Sequence, residues 1–119
     1  MYNYSVIIPH RNTVSLLQRC IDSIPQREDV QIIIIDDNSD PKLVDFENFP
    51  GVNREHVEII LNKKGRGAGY CRNIGLDKVK GVWVTFADAD DVFETDALNK
   101  CMNRYMTEKK DVVYLNAEL

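Results

Sequence analysis

The sequence has no long hydrophobic run. The two longest, Ile32 to Ile35 and Val112 to Leu115, contain four residues each, whereas a membrane-spanning helix needs about 20. The first residues also lack the basic segment, the apolar stretch and the cleavage site that mark a secretory signal. We therefore predict no membrane span and a cytoplasmic location.

The sequence contains fewer basic than acidic residues. The 119 residues include 15 Lys and Arg against 19 Asp and Glu, so the formal net charge is −4 with both histidines neutral. A nucleic-acid-binding protein would need a positive surface, and we predict no nucleic-acid partner. Hydrophobic residues make up 44% and charged residues 29%, which is ordinary for a folded protein. We expect one compact domain over residues 1–119, because a typical domain has about 100–150 residues.

Cysteine and histidine are scarce and widely spaced. Cys20, Cys71 and Cys101 form no C-x-x-C motif and are an odd number, which argues against a zinc site or a disulfide framework. We expect them to be reduced and buried, as free cysteines usually are. His10 and His56 are not spaced with a serine or cysteine as in a nucleophilic triad. They are predicted to be surface or turn residues, although His10 lies at a strand end.

Short runs of β-branched residues alternate with amphipathic helical patterns along the chain. This alternation is typical of a parallel sheet connected by crossover helices. The second run, Val30 to Ile35, is almost entirely isoleucine, as expected for a strand covered on both faces. The predicted class is α/β, a mostly parallel sheet with helices on both faces. We predict strands at residues 5–8, 30–35, 57–61, 83–87 and 112–115, and helices at 14–24, 42–49, 69–79 and 95–108.

Two clusters of carboxylates directly follow predicted strands: Asp36-Asp37, and Asp88 to Asp91, where only Ala89 interrupts. Ligands of open parallel sheets bind at the carboxyl ends of the strands, so both clusters would face one rim. Clustered carboxylates repel each other, and a divalent cation such as Mg²⁺ or Mn²⁺ would relieve the repulsion. Turn and helix-cap chemistry is the alternative. It explains the first cluster equally well, but three carboxylates in four residues exceed what one cap uses.

A basic, glycine-rich segment precedes the third predicted helix. The segment Lys63-Lys64-Gly65-Arg66-Gly67-Ala68-Gly69 combines three positive charges with a flexible backbone, and it opens a helix whose N-terminus favours anions. It contains neither the G-x-G-x-x-G dinucleotide motif nor the P-loop motif. A phosphate site and a solvated loop are therefore equally compatible with it.

Four segments, in this order, resemble the motifs of family 2 glycosyltransferases, which have the GT-A fold, Rossmann-like in its alternation of strands and helices. They are Ser5 to Asn12, Ile34 to Asp40, Gly67 to Gly75 and Gly81 to Asp91, and they match the N-terminal, nucleotide-sugar-binding half of the family's domain. The resemblance implies metal-dependent transfer, with inversion, of a sugar from a UDP- or GDP-linked donor to an acceptor hydroxyl. It also implies a role in polysaccharide or glycoconjugate synthesis, with a sugar or lipid-linked sugar as acceptor.

The resemblance assigns residues to a donor site. Asp37 matches the aspartate that hydrogen-bonds the nucleobase, and Arg72 matches a residue that contacts the nucleotide. Asp88 and Asp90 are the outer residues of the family's D-x-D motif, in which Asp88 matches the ribose-side partner and Asp90 the metal ligand. We expect Asp90 and Asp88 to hold Mg²⁺ or Mn²⁺. The expected donor contacts come from Pro9, Arg11, Asn12, Asp37, Arg72 and Asp88.

Three features depart from the family's pattern. Arg11 stands where the family usually has a tyrosine that stacks on the base, and a guanidinium plane can also stack. Cys71 replaces a small alanine. The family's domain also continues, beyond the point matched by Leu119, into a half that binds the acceptor and supplies the general base. The catalytic residues are therefore left unassigned, with Asp91 as a local candidate for the base.

Two other functions compete with this interpretation. A donor-binding module without turnover would keep the nucleotide pocket and perform no chemistry. A phospho-receiver signalling domain would have a similar length and alternation, but its acidic pair follows the first strand, whereas here that strand ends in Pro9-His10. A truncated sheet would also leave an edge or an apolar surface uncovered, which would favour self-association.

Overall fold

Four parallel strands form one sheet in the part of the chain that the structure describes, residues 1–105 and 111–112. The structure is a computed structural model. The spatial order of the strands is β3-β2-β1-β4, and every neighbouring pair is parallel. The elements in chain order are β1 (Tyr4–His10), α1 (Val14–Asp22), β2 (Val30–Asp37), β3 (Val57–Asn62), α2 (Ala68–Leu76), β4 (Trp83–Phe86) and α3 (Thr95–Tyr105).

The two central strands, β1 and β2, are buried along their whole length. Alternate residues of β2 point to opposite faces of the sheet: Ile32 and Ile34 enter one hydrophobic core, and Ile33 and Ile35 enter the other. The first core also contains the apolar faces of α1 and α3, and the second contains Cys71 of α2. The predicted α/β class, with helices on both faces of a parallel sheet, is therefore confirmed.

Helix α2 packs unusually closely on the sheet because Gly75 faces β1. A methyl group at Gly75 would lie 2.5 Å from Cγ2 of Ile7 and 3.1 Å from Cδ1 of Ile35, distances that atoms in a packed core do not tolerate. The glycine thus sets the distance between α2 and the sheet. Because the last residues of the glycine-rich segment form the start of α2, this contact also fixes where that segment meets the sheet's carboxyl-terminal edge.

A proline lies in the central strand β1 without loss of a sheet hydrogen bond. The carbonyl of Ile7 accepts the N–H of Ala87 at 3.0 Å, so the backbone of Ile7 faces β4. Pro9, two residues further, faces the same side, but β4 has already ended at Phe86. Its missing N–H therefore has no strand to pair with, which explains how a central strand accommodates proline.

The predicted helix over residues 42–49 is wrong, because this segment forms turns. Asp45 accepts hydrogen bonds from the N–H of Glu47 at 3.1 Å and from the side chain of Asn48 at 2.8 Å. Such local bonds compete with the helical pattern. The segment also buries Val44 and Phe49 in the core, which replaces the packing that a helix would have provided.

Several predicted boundaries also shift. Strands β1 and β2 each extend two residues further than predicted, to His10 and Asp37, and helix α1 ends at Asp22. The predicted helix over 95–108 is described only as far as Tyr105. Of the predicted fifth strand, Val112 is not in a strand, and residues 113–115 lie outside the described part of the chain. No helix among the described residues is long and apolar enough to cross a membrane.

The three cysteines are free, and two of them are buried as predicted. Burial, followed by the nearby carboxylates, raises the pKa of both the Cys20 and the Cys71 thiol to about 11. These two thiols therefore stay protonated at neutral pH and act as packing groups. Cys101 is only partly buried, which differs from the prediction because it lies on the flank of α3 rather than on the face that carries Leu98 and Met102.

Candidate functional site

The carboxyl ends of the strands bring the predicted polar clusters to one edge of the sheet. His10 ends β1 beside Asp36 of β2, and Asp37 ends β2 beside Asn62 of β3. The chain leaves β4 at Phe86 and reaches Asp88 two residues later. This edge, called the rim below, therefore carries both predicted acidic clusters, as expected for ligand sites of open parallel sheets.

Asp36 is completely buried and fully hydrogen-bonded. Its Oδ1 lies 2.9 Å from Nδ1 of His10 and 2.5 Å from the hydroxyl of Ser39, and its Oδ2 accepts the N–H of Ser39 at 3.1 Å. Burial by itself would raise the pKa of this carboxyl, but the hydrogen bonds from His10 and Ser39 outweigh it and hold the pKa below its ordinary value. Asp36 is therefore an anion with no surface for a ligand.

The prediction that His10 is a surface or turn residue is wrong. It ends β1 and is 2% exposed, because its imidazole packs against the ring of Phe49 and contacts the buried carboxylate of Asp36. Beyond Asp36, its second nitrogen, Nε2, accepts the N–H of Thr13 at 3.0 Å. His56, in contrast, lies in a turn as predicted and is only partly buried.

Asp37 anchors the glycine-rich segment. Its Oδ1 accepts the backbone N–H of Arg66 at 3.0 Å and its Oδ2 accepts that of Gly67 at 2.8 Å. The side chain of Asn62 adds a weaker contact at 3.4 Å. The segment can turn back onto Asp37 because Gly65 and Gly67 have φ of +61° and +88°, a region that favours glycine. These two N–H groups therefore point at Asp37 and not outward at a phosphate.

Asn12 ties the loop after β1 to the loop after β2. Its side-chain oxygen accepts the N–H of Asp40 at 2.7 Å, and its own N–H donates to the hydroxyl of Ser39 at 2.9 Å. Of the other residues predicted here, Arg11 is exposed in the same loop, whereas Pro9 is buried inside β1. Of the residues predicted in this loop, Arg11 and the partly exposed Asn12 present side-chain surface at the rim.

The turn after β4 brings three carboxylates together. One oxygen from each of Asp88, Asp90 and Asp91 lies within 4.8 Å of the others, and all three residues are exposed. The turn is closed by two hydrogen bonds of 2.9 Å, from the N–H of Asp88 to Asp91 Oδ2 and from the N–H of Asp91 to the carbonyl of Asp88. The oxygen-only donor set fits a hard divalent cation such as Mg²⁺ or Mn²⁺. The third member, Asp91, is one that the D-x-D pattern does not contain.

Two arginines approach this acidic turn. Nη2 of Arg72 lies 3.1 Å from Oδ1 of Asp88, which joins α2 to the turn. Nη2 of Arg19 lies 3.4 Å from the backbone carbonyl of Asp90. The structure therefore brings together Arg72 and Asp88, two residues of the predicted donor site, and Arg19 is a neighbour that no sequence motif indicates.

A groove of about 530 Å³ opens at the opposite edge of the sheet. It lies between the end of α1, the start of β2 and the turn before β3, and contains Arg54 and His56. None of the residues predicted for the donor site lines it. Arg54 donates to the carbonyls of Ile21, Ile24 and Pro25 and so closes the end of α1, which indicates a structural role for this edge.

Comparison with known proteins identifies the family. Residues 5–118 match the family model described as Glycosyl transferase family 2. The chain belongs to this family. The match covers nearly the whole sequence and leaves the receiver-domain alternative without support.

Curated relatives carry glycosyltransferase names. A Haemophilus influenzae protein named as an uncharacterized glycosyltransferase is 32% identical over 101 residues, which are 83% of this chain and 40% of that protein. A PGL/p-HBAD biosynthesis glycosyltransferase of Mycobacterium bovis is 32% identical over 98 residues, 80% of this chain and 38% of the relative. The poly(ribitol-phosphate) beta-glucosyltransferase of Bacillus spizizenii is 31% identical over 115 residues, which are 91% of this chain and 18% of that protein. The chain thus spans less than half the length of these relatives.

Solved structures show the same fold. Residues 1–349 of Staphylococcus aureus TarS superpose with a TM-score of 0.71 at 24% identity, covering 87% of this chain and 32% of that one. The same TarS segment has been solved in complex with UDP-GlcNAc and with UDP. The likeness establishes that the sheet and helices described above belong to the GT-A fold that the sequence motifs implied.

Proposed function

We propose that this chain is the donor-binding part of a glycosyltransferase and binds a nucleotide-diphosphate sugar, UDP- or GDP-linked, at the rim. The observation that carries the proposal is the triad of exposed carboxylates, Asp88, Asp90 and Asp91, on the same edge of the sheet as Asp37. Support also comes from TarS, which shares the fold and was solved with UDP-GlcNAc.

The base and ribose end of the donor is assigned to the loops after β1 and β2. Asp37 has two acceptor positions on each oxygen, and Oδ2 uses one of them for Gly67. The second position of Oδ2 is proposed to accept a base N–H through the 6% of this residue that is exposed. Arg11 is exposed in the loop after β1 and offers a planar guanidinium on which a base can stack. Pro9 and Asn12 complete this part of the pocket, Pro9 through its rigid backbone.

The diphosphate end is assigned to the acidic turn and Arg72. Asp90 and Asp88, with Asp91 beside them, would hold Mg²⁺ or Mn²⁺, and a bound cation would neutralise the charge of the diphosphate. Arg72 reaches the same turn from α2 and adds a fixed positive charge. Because the chain has a net charge of −4, a nucleotide diphosphate should bind poorly until a cation offsets the local repulsion.

Turnover is proposed for the whole glycosyltransferase, as transfer with inversion to an acceptor hydroxyl of a sugar or lipid-linked sugar. In such a displacement the acceptor oxygen bonds to the anomeric carbon, the diphosphate leaves with its electron pair, and a base takes the hydroxyl proton. We assign that base to no described residue. A cytoplasmic location, where free cysteines stay reduced, and a role in polysaccharide or glycoconjugate synthesis complete the proposal.

Calorimetric titration of the chain with UDP and then with GDP, each with and without Mn²⁺, tests donor binding. We expect one nucleotide to bind with Mn²⁺ and to bind much more weakly without it. The exposed residue Glu58 on β3 offers a matched control, Glu58→Gln, which should bind like the unaltered chain. If neither nucleotide binds in the presence of metal, the proposed function is wrong.

A donor-binding module without turnover is the second candidate, since the proposed donor contacts all come from this chain whereas the general base is assigned to no described residue. Incubation with UDP-GlcNAc and Mn²⁺, followed by chromatography of the nucleotide products, separates the two. Release of UDP would show that this chain alone cleaves the donor, whereas binding without release supports the module.

A further inference from the structure

We propose that His10 is a positioning residue for the donor site: its imidazole joins the loop after β1 to the end of β2 and thereby holds Asn12 in place. The inference rests on the proposed function, in which Asn12 shapes the donor pocket. The side chain of His10 is completely buried, so it does not touch a ligand. Its effect on donor binding is therefore exerted through the two loops.

The two ring nitrogens of His10 bind two different segments. Nε2 accepts the N–H of Thr13 at 3.0 Å, so this nitrogen carries no proton. The proton of the neutral ring must then lie on Nδ1, which donates it to Oδ1 of Asp36 at 2.9 Å. The hydrogen bonds thus fix the Nδ1–H tautomer and connect the first residues before α1 to the end of β2.

The connection continues to Asn12 through Ser39. Asp36 holds both the hydroxyl and the N–H of Ser39, and that hydroxyl accepts the N–H of Asn12 at 2.9 Å. The side chain of Asn12 then accepts the N–H of Asp40 at 2.7 Å. The two loops are therefore bonded to each other at two points, and the bond between Asn12 and Ser39 leads through Ser39 to the buried carboxylate that His10 contacts.

Asn12 needs such support because its backbone is in the left-handed region, with φ of +59°. A residue with a Cβ adopts this conformation at an energetic cost, and surrounding contacts must hold it there. His10 is itself held, since the ring of Phe49 packs edge-on against it with centroids 5.4 Å apart. The imidazole therefore cannot turn away from Asp36 and Thr13 without repacking the core.

Two substitutions separate the two bonds. His10→Asn places an amide N–H near the position of Nδ1, so the contact with Asp36 can persist while the Thr13 bond is lost. His10→Gln places an amide oxygen near the position of Nε2, so the Thr13 bond can persist while the Asp36 contact is lost. We expect each variant to weaken metal-dependent nucleotide binding about five- to thirty-fold, as the loss of one buried hydrogen bond to a charged or backbone group would.

The matched control is His56→Gln. His56 is the other histidine of the chain, lies at the opposite edge of the sheet, and bonds the hydroxyl of Tyr2 at 2.8 Å. This variant should leave nucleotide affinity unchanged. Thermal unfolding of all variants shows whether the fold persists, and affinity is compared only among variants that unfold cooperatively.

Amide hydrogen exchange and imidazole NMR on the nitrogen-15-labelled chain provide readouts that do not depend on ligand binding. We expect His10 to show the Nδ1–H tautomer, and His10→Asn to accelerate exchange at Thr13. His10→Gln should accelerate exchange at Asn12 and Ser39. An Nε2–H tautomer, or unchanged exchange at all three amides in both variants, overturns the proposal.

Failure of the proposed function would look different. If the unaltered chain binds neither UDP nor GDP, donor binding is wrong, and the tautomer and exchange results still decide whether His10 holds the loops. If the chain binds nucleotide and the variants accelerate exchange but keep full affinity, the two loops are joined by His10 without positioning the donor, and the inference is overturned. Weaker affinity together with faster exchange at these amides supports it.

Discussion

Arg72 and Asp88 form an ion pair across the rim, with Nη2 of Arg72 3.1 Å from Oδ1 of Asp88. The two side chains are 39% and 62% exposed, so water screens the pair and its energy is small. Its position matters more than its strength. The oxygen that Arg72 contacts belongs to the carboxylate cluster proposed for the metal, so Arg72 and a cation approach the same group.

Arg72→Ala should therefore separate metal binding from nucleotide binding. Without nucleotide, removal of the positive charge beside Asp88 should strengthen Mn²⁺ binding about two- to five-fold, the range expected for an exposed pair worth up to about 1 kcal/mol. With Mn²⁺ present, nucleotide affinity should fall, because the variant lacks the positive charge that is proposed to face the diphosphate. Arg72→Lys keeps the charge and should restore part of the nucleotide affinity. Calorimetry with Mn²⁺ alone and then with nucleotide measures both effects, and parallel changes in the two affinities would contradict this assignment.

Asp90→Ala should abolish the metal dependence of nucleotide binding without affecting the fold. Asp90 is exposed and its side chain belongs to the carboxylate cluster, so its removal costs the cation a ligand but buries no unsatisfied group. We expect the melting temperature to stay within about 2 °C of the unaltered chain. Asp91→Ala tests the residue that the D-x-D pattern omits and should weaken Mn²⁺ binding less. Unchanged nucleotide affinity in Asp90→Ala would rule out the metal site.

The sheet was predictable because each central strand has a hydrophobic pattern that is visible within a few consecutive residues. The isoleucine run of β2 can be covered only from both faces, and the acidic residues at the end of β2 and after β4 then had to reach the same rim. The helix predicted over 42–49 does not form. Hydrophobic periodicity contains no information on the hydrogen bonds that Asp45 accepts from its neighbours, or on the packing of Phe49 in the core beside His10. Tertiary contacts decided that segment.

The buried contacts of the rim could not be read from the sequence. His10 and Asp36 are 26 residues apart, and Asp37 meets Gly67 30 residues later, so nothing local indicates that they pair. A polar residue at a strand end looks the same in a sequence whether it faces water or a buried partner. The structure shows that the histidine is internal: the register places His10 directly beside Asp36, and the residue is 2% exposed.

Gly75→Ala should destabilise the protein because α2 lies too close to β1 for a methyl group. The added carbon would lie 2.5 Å from Cγ2 of Ile7, and relief of such overpacking typically costs about 1–3 kcal/mol in the free energy of unfolding. Gly69→Ala, in the first turn of the same helix, meets no atom of residues 1–105 or 111–112 within 4 Å and should be neutral or stabilising by up to about 1 kcal/mol. Urea unfolding of the two variants measures the difference, and equal stabilities would show that α2 can move away from the sheet at no cost.

Asp36 should make the free energy of unfolding depend on pH in the acid range. Its pKa lies below the ordinary value because the hydrogen bonds from His10 and Ser39 outweigh the effect of burial. The carboxylate of Asp36 therefore takes up a proton less readily in the folded state than in the unfolded chain, whose aspartates titrate at about pH 3.9. The stabilisation by Asp36 is fully present above that pH and is lost as the pH falls through the lower, folded pKa.

Asp36→Asn should be less stable than the unaltered chain at pH 7, and the gap between their free energies of unfolding should narrow toward pH 3. The pH dependence from Asp29, whose pKa is also lowered, should remain in both proteins. A gap between the two proteins that stays constant from pH 7 to pH 3 would mean that Asp36 is not the buried anion that holds the two loops.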